Sequence, residues 1–208
     1  MEHGRFDIQD LAPHLHMCRA LEIPAIVRVQ DAKYHLIAKT IDLGADGIML
    51  PRTETVKQLH AAVDGLRFYP AGRKGYGGLA QFRPGEGFEA FQSGRYLVPQ
   101  IESPKGIENL PEMLDRFADN ISAILIGPYD LSVMLGIPFD IHNDLMRTSI
   151  QKVVQICRAY HKSVGIFCGN AQEAAAYAAM GINMFWAGTD LNFFIDGYNR
   201  VFDALSTI

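Results

Sequence analysis

The sequence predicts a parallel α/β fold of the barrel type, on three observations. Short β-rich runs alternate with helical patterns from end to end, the runs are apolar on both faces, and two successive runs each have an acidic residue at their C-terminal tip. Alternation of this kind implies a parallel sheet built from right-handed crossovers, and strands apolar on both faces suit a barrel or a doubly wound sheet. The acidic tips matter because the carboxyl edge of such a sheet is where active sites are assembled.

Taken in order, the strand candidates are Pro24 to Val29, Gly47 to Leu50, Tyr96 to Ile101, Ser122 to Ile126, Ser163 to Phe167 and Asn183 to Ala187. Helical spacing of apolar residues predicts helices over Ile8 to Leu21, Ala32 to Leu43, Thr55 to Gly65, Asp144 to His161, Ala171 to Met180 and Asp190 to Leu205. Gly44 and Gly181 each follow a helix and feed a strand, a place that suits the left-handed conformation after a helix end. An eight-stranded barrel typically needs about 250 residues, so this chain is short by roughly two strands and one helix, about 40 to 50 residues. Met1-Glu2-His3-Gly4 directly precedes a helix and reads as a strand-to-helix loop, which puts the expected deficit at the N-terminus. The expectation is one incomplete barrel domain over residues 1–208.

Half the residues are hydrophobic (49%), enough for one well-filled core in 208 residues, and the net charge is a mild −4 with no basic stretch. A nucleic-acid partner therefore has no electrostatic footprint, and membrane surfaces are equally unsupported. Cys18, Cys157 and Cys168 lack the paired spacing of a zinc site or disulfide framework and suit a reducing cytosol. With no signal-peptide pattern and no membrane-length apolar run, the expected location is cytoplasmic.

The chemistry points to the two acidic tips. Glu102 closes Tyr96-Leu97-Val98-Pro99-Gln100-Ile101-Glu102, and Asp130 lies in Gly127-Pro128-Tyr129-Asp130-Leu131-Ser132 just beyond the next strand. Two carboxylates on neighbouring tips could hold one hard cation, Mg²⁺, Mn²⁺ or Co²⁺, with coordination places left for an oxygen-rich substrate. Structural readings stand beside this: Glu102 as the cap of a helix starting near Pro104, and Asp130 as a charge at a helix N-terminus. A Schiff-base lysine projecting into the barrel is disfavoured, because Lys105 and Lys162 only flank strands and the other lysines fall on helix or loop patterns. The glycine-rich stretch from Tyr69 to Gly87, with Arg73, Lys74 and Arg83, reads as a mobile lid, a phosphate-facing loop or a plain connection. Cys168 reads as a buried small apolar residue, and Phe185, Trp186, Phe193 and Phe194 as core or subunit contact.

Taken together, Gln100-Ile101-Glu102, Gly127-Pro128-Tyr129-Asp130-Leu131-Ser132, Ile26-Val27-Arg28-Val29 and the opening Glu2-His3 resemble the HpcH/HpaI family of metal-dependent pyruvate aldolases. The resemblance covers essentially the whole chain. It implies a (β/α)₈ barrel of the phosphoenolpyruvate/pyruvate type, with the first strand, first helix and most of the second strand missing here. It further implies a homo-oligomer, often a hexamer, in which the terminal helix near residues 190–206 packs on a neighbouring subunit. The activity implied is cleavage or formation of 4-hydroxy-2-oxo acids through a pyruvate enolate, on small-molecule substrates. Related acyl-CoA lyase or oxaloacetate decarboxylase chemistry, or a non-catalytic fragment, are the alternatives. By the same resemblance Glu102 and Asp130 are the metal ligands, Arg28 contacts the keto oxygen, and His3 paired with Asp42 moves the proton. Gln100, Tyr129 and Asp130 match pyruvate-binding positions. The family's Gly-x-Arg-Gly appears here as Gly72-Arg73-Lys74-Gly75, which keeps the charge and loses the bidentate fork.

Overall fold

Among the described residues six mainly apolar runs form six strands: β1 (Ile26–Arg28), β2 (Gly47–Leu50), β3 (Tyr96–Ile101), β4 (Ala123–Ile126), β5 (Ser163–Cys168) and β6 (Met184–Ala187). They lie side by side in chain order, each parallel to the next. The computed structural model describes residues 1–4, 6–78 and 81–206. Each strand overlaps its predicted run. β1 starts later than Pro24 because proline has no N–H and the Ala25 amide donates to Asp46 Oδ2 at 2.8 Å instead of entering the ladder.

The helices are α1 (Leu11–Ala20), α2 (Tyr34–Asp42), α3 (Val56–Leu66), α4 (Phe88–Gly94), α5 (Pro104–Phe117), α6 (Pro128–Met134), α7 (Asp144–Ala159), α8 (Ala171–Ala179) and α9 (Asp190–Leu205). Their starts follow local chemistry. Thr55 and Gln58 close a reciprocal capping box on α3, and the side chains of Ser103, Asn143, Asn170 and Thr189 accept first-turn N–H groups. Gly44 and Gly181 do adopt positive φ, +104° and +99°, and end α2 and α8. α4 was not legible in the sequence, since its seven residues bury only Phe91 and so carry no apolar stripe.

Strand side chains Ile48, Leu50, Leu97, Ile101, Ile124, Ile126 and Ile166 are fully buried, and helices α2, α3, α5 and α7 cover them with Ile37, Ile41, Leu59, Leu110 and Val153, also fully buried. α9 is the exception. None of its residues is buried, and Phe193, Phe194, Tyr198, Val201, Phe202 and Leu205 all face outward.

The described residues of the glycine-rich stretch are tied down at the amino edge of the sheet, away from the strand tips. The Lys74 ammonium, fully buried, donates to Asp42 Oδ1 at 2.6 Å and Gln81 Oε1 at 2.8 Å. Arg83 grips Asp46 Oδ1 through two nitrogens at 2.8 and 2.6 Å, and buried Arg95 holds both Glu86 oxygens at 2.8 and 2.6 Å while stacking on Phe91. Leu79 and Ala80 of this stretch lie outside the described residues.

Candidate active site

Strand register brings the predicted residues to one edge. Gln100 pairs with Leu125 and Ile101 with Ile126, so the next residues out, Glu102 and Gly127, leave β3 and β4 side by side. Gly127 is needed there: a Cβ on it would lie 2.3 Å from Glu102 Oε2 and 2.5 Å from Gln100 Nε2. The small residue lets a buried carboxylate and a buried amide meet at the mouth of the sheet. Ser103 caps α5 by accepting the Gly106 N–H at 3.0 Å, so the capping role considered for Glu102 belongs to its neighbour. Asp130 sits in the first turn of α6.

A cavity of about 210 Å³ opens at this edge, lined by Arg28, Gln100, Gly127, Pro128, Tyr129, Asp130, Phe167, Trp186 and Thr189. Residues from both edge strands line it, so the sheet curls into a half-barrel around it. Tyr129, Phe167 and Trp186 form an aromatic wall, with ring centroids 5.9 and 5.5 Å apart along the series.

Glu102 is 3% exposed, and its Oε1 accepts the Arg52 N–H at 2.6 Å. Its Oε2 and the Oε1 of Gln100 are buried with no hydrogen-bond partner among the described residues. Burial pushes the Glu102 carboxyl above its usual range; the Arg52 amide and Arg28 oppose this, and the charge of Asp130 adds to it. Two buried acceptors without donors, next to a second carboxylate, suit a cation. Among the described residues no group of three or more His, Cys, Asp or Glu forms a cage, so Glu102 and Asp130 would hold the ion with most places left to substrate and water.

Arg28, at the tip of β1, donates from Nε to Glu2 Oε2 at 2.6 Å, and its Nη2 lies 3.2 Å from His3 Nε2. Arg52 pairs with the other Glu2 oxygen. His3 thus lies beside Arg28, with its side chain 70% exposed.

Asp42 is not beside them. It ends α2 ahead of β2, at the amino edge, and binds Lys74, so within the chain the expected His3–Asp42 pair does not form and Glu2 is the carboxylate near His3, at 3.7 Å. The physical reason is topological: in parallel α/β units a residue that ends a helix before a strand faces the edge opposite that strand's tip. Asp42→Ala should therefore act on stability. Stranding the buried Lys74 ammonium is expected to cost about 2 to 3 kcal/mol in urea unfolding, and an unchanged midpoint would show that the pair contributes nothing.

A parallel α/β sheet whose carboxyl edge gathers a buried glutamate, an aspartate, an arginine and an amide around one cavity defines an enzyme with its chemistry at the strand tips. The chain belongs to the HpcH/HpaI aldolase/citrate lyase family, whose model matches residues 1–197. It is a lyase of that family's metal-dependent aldolase type. Among curated relatives, the 2-keto-3-deoxy-L-rhamnonate aldolase of Klebsiella pneumoniae is 30% identical over 205 residues, covering 96% of this chain and 76% of the relative. The enzyme of the same name from Escherichia coli K12 is 28% identical over 204 residues with the same coverage. Among solved structures, an HpcH/HpaI aldolase from Desulfitobacterium hafniense superposes with a TM-score of 0.89 at 19% identity, covering 100% of this chain and 82% of that one. Macrophomate synthase gives 0.83 at 20% identity, covering 100% and 76%. These last two likenesses bear on the fold.

Proposed function

We propose that the chain cleaves or forms 4-hydroxy-2-oxo acids of the 2-keto-3-deoxy sugar acid class through a pyruvate enolate, with Glu102 and Asp130 as ligands of Mg²⁺, Mn²⁺ or Co²⁺. The observation that carries this reading is the pair of orphaned buried acceptors, Glu102 Oε2 and Gln100 Oε1, beside a cavity that also holds Asp130 and Arg28. A divalent ion bound there supplies Lewis-acid polarisation of a 2-oxo acid carbonyl. Arg28 then stabilises the negative charge that grows on the keto oxygen when the methyl carbon loses its proton. Gln100 donates through its amide to the substrate carboxylate, and the backbone around Tyr129 and Asp130 borders the same end. His3 moves the proton, since an imidazole is matched to neutral pH. Its carboxylate partner within the chain is Glu2; Asp42 keeps a structural role.

The test is metal-dependent exchange of pyruvate methyl protons for deuterium, followed by NMR. It needs no knowledge of the aldehyde. Exchange that requires both Mn²⁺ and Glu102 supports the reading, and none from a folded, metal-loaded protein overturns it.

Two further features belong to this reading. The curled sheet is the larger part of a (β/α)₈ barrel of the pyruvate type, with two more strands needed between β6 and β1 for closure; Ile26 and Phe185, exposed on those strands, would be covered there. The apolar face of α9 packs on a neighbouring subunit of a homo-oligomer. Replacing Phe194 and Phe202 by Glu is expected to move the protein to a smaller species in size-exclusion chromatography with light scattering. An unchanged mass would remove α9 from the interface. No described helix is long and apolar enough to cross a membrane, and the cytoplasmic location we propose rests on three cysteines without paired spacing, which suit a reducing compartment.

A further inference from the structure

We propose that Arg52, to which no role has been assigned above, is a positioning residue that presents both Glu102 and Arg28 to the substrate; this rests on the aldolase reading of the same site. Arg52 follows Pro51 at the tip of β2 and holds φ at +46°, in the left-handed region that a residue with a Cβ disfavours. Its side chain is 57% exposed, so it fills little of the core, and a glycine would fit the backbone better. What that costly placement achieves is a set of directed bonds. The main-chain N–H donates to Glu102 Oε1 at 2.6 Å, and the carbonyl accepts Gln58 Nε2 at 2.9 Å. With one Glu102 oxygen fixed, the orphaned Oε2 is left in a single orientation.

The guanidinium completes the arrangement from the other side. Nη2 donates to the Gln30 carbonyl at 2.8 Å and Nη1 takes one oxygen of Glu2, whose side chain is only 7% exposed. Glu2 is left with its other oxygen for Arg28 Nε at 2.6 Å. Arg52 thereby shares the charge of Glu2, so that Arg28 is held in place without being wholly neutralised. Its guanidinium remains able to meet an anionic oxygen in the cavity.

Arg52→Gly separates this role from a structural one, because glycine keeps the N–H and relaxes the backbone. The melting temperature is expected to stay within about 3 °C of the parent protein, and Mn²⁺ affinity within about threefold, since the hydrogen bond from the main-chain N–H to Glu102 Oε1 survives. Pyruvate affinity of the Mn²⁺-loaded protein, measured by calorimetry, is expected to weaken about tenfold, and kcat/KM for methyl exchange to fall about 30-fold, mostly through KM. Arg52→Lys should recover part of both, because an ammonium still pairs with Glu2. Pyruvate affinity within twofold of the parent in Arg52→Gly overturns the proposal, as does a melting temperature lowered by more than about 10 °C with losses that track unfolding. If the parent binds Mn²⁺ and pyruvate yet exchanges no protons, the aldolase reading fails, while the calorimetric comparison still decides the role of Arg52.

Discussion

Glu102→Gln is expected to abolish metal-dependent methyl exchange, by about a thousandfold or more, while raising the melting temperature of the metal-free protein by a few degrees. The two effects share one cause. Burial pushes the Glu102 carboxyl above its usual range, more than the Arg52 amide and Arg28 pull it down. A raised folded-state pKa means that the native protein binds the proton more tightly than the unfolded chain does, so stability falls as pH rises through the window between the unfolded and folded values. At neutral pH the ionised carboxylate is therefore a cost to the fold, and a neutral amide of the same shape removes it. The same proton competes with the cation, so Mn²⁺ affinity of the unaltered protein should weaken as pH falls through that raised value. Differential scanning fluorimetry and Mn²⁺ titration with and without the substitution check both signs. A Glu102→Gln protein that is less stable without metal would show that the carboxylate serves the fold.

Gly127→Ala carries the second large effect. The backbone there, φ −93° and ψ 95°, is open to any residue, so the consequence comes from the added methyl alone. That methyl would lie 2.3 Å from Glu102 Oε2, 2.5 Å from Gln100 Nε2 and 3.1 Å from Glu102 Cβ. Both side chains are buried, 3% and 2% exposed, and neither can swing into solvent. Something must shift by about 1 Å, and misplacement of that size in reacting groups costs on the order of 100-fold in rate. The overpacking itself should take about 1 to 3 kcal/mol from stability. Exchange within threefold of the parent would show that the carboxylate has freedom to move and that its position is not set by Gly127.

The strands were legible because each is apolar on both faces and bounded by turn residues, a pattern that survives without any knowledge of neighbours. The positions of Glu102 and Asp130 were legible for a related reason: one directly follows such a run and the other lies in the turn and helix start that leave the next one. Pairing across the fold was not. Asp42 was matched to His3 by the family resemblance, whereas its place before β2 already implies the amino edge, where it meets Lys74. Arg52 stood in plain view after Leu50-Pro51, but its left-handed backbone and its bond to Glu102 depend on β2 and β3 lying side by side. Gly127 likewise looks like any turn glycine until the register of β3 and β4 puts Glu102 against it.

The polar groups of this chain are sorted by the sheet. At the amino edge stand three ion pairs, Asp42 with Lys74, Asp46 with Arg83 and Glu86 with Arg95. At the carboxyl edge stand Glu102 and Gln100 with acceptors left over. Between them lies the length of β3, six residues of extended chain or about 20 Å, filled with side chains that carry no charge. Two substitutions that far apart, with no shared partner, should add within about 0.5 kcal/mol. The loss from Asp42→Ala and the gain from Glu102→Gln would then combine as independent increments. The stability of this protein can accordingly be changed at the amino edge, through Asp42 and Lys74, while Glu102 and Gln100 at the carboxyl edge keep their surroundings.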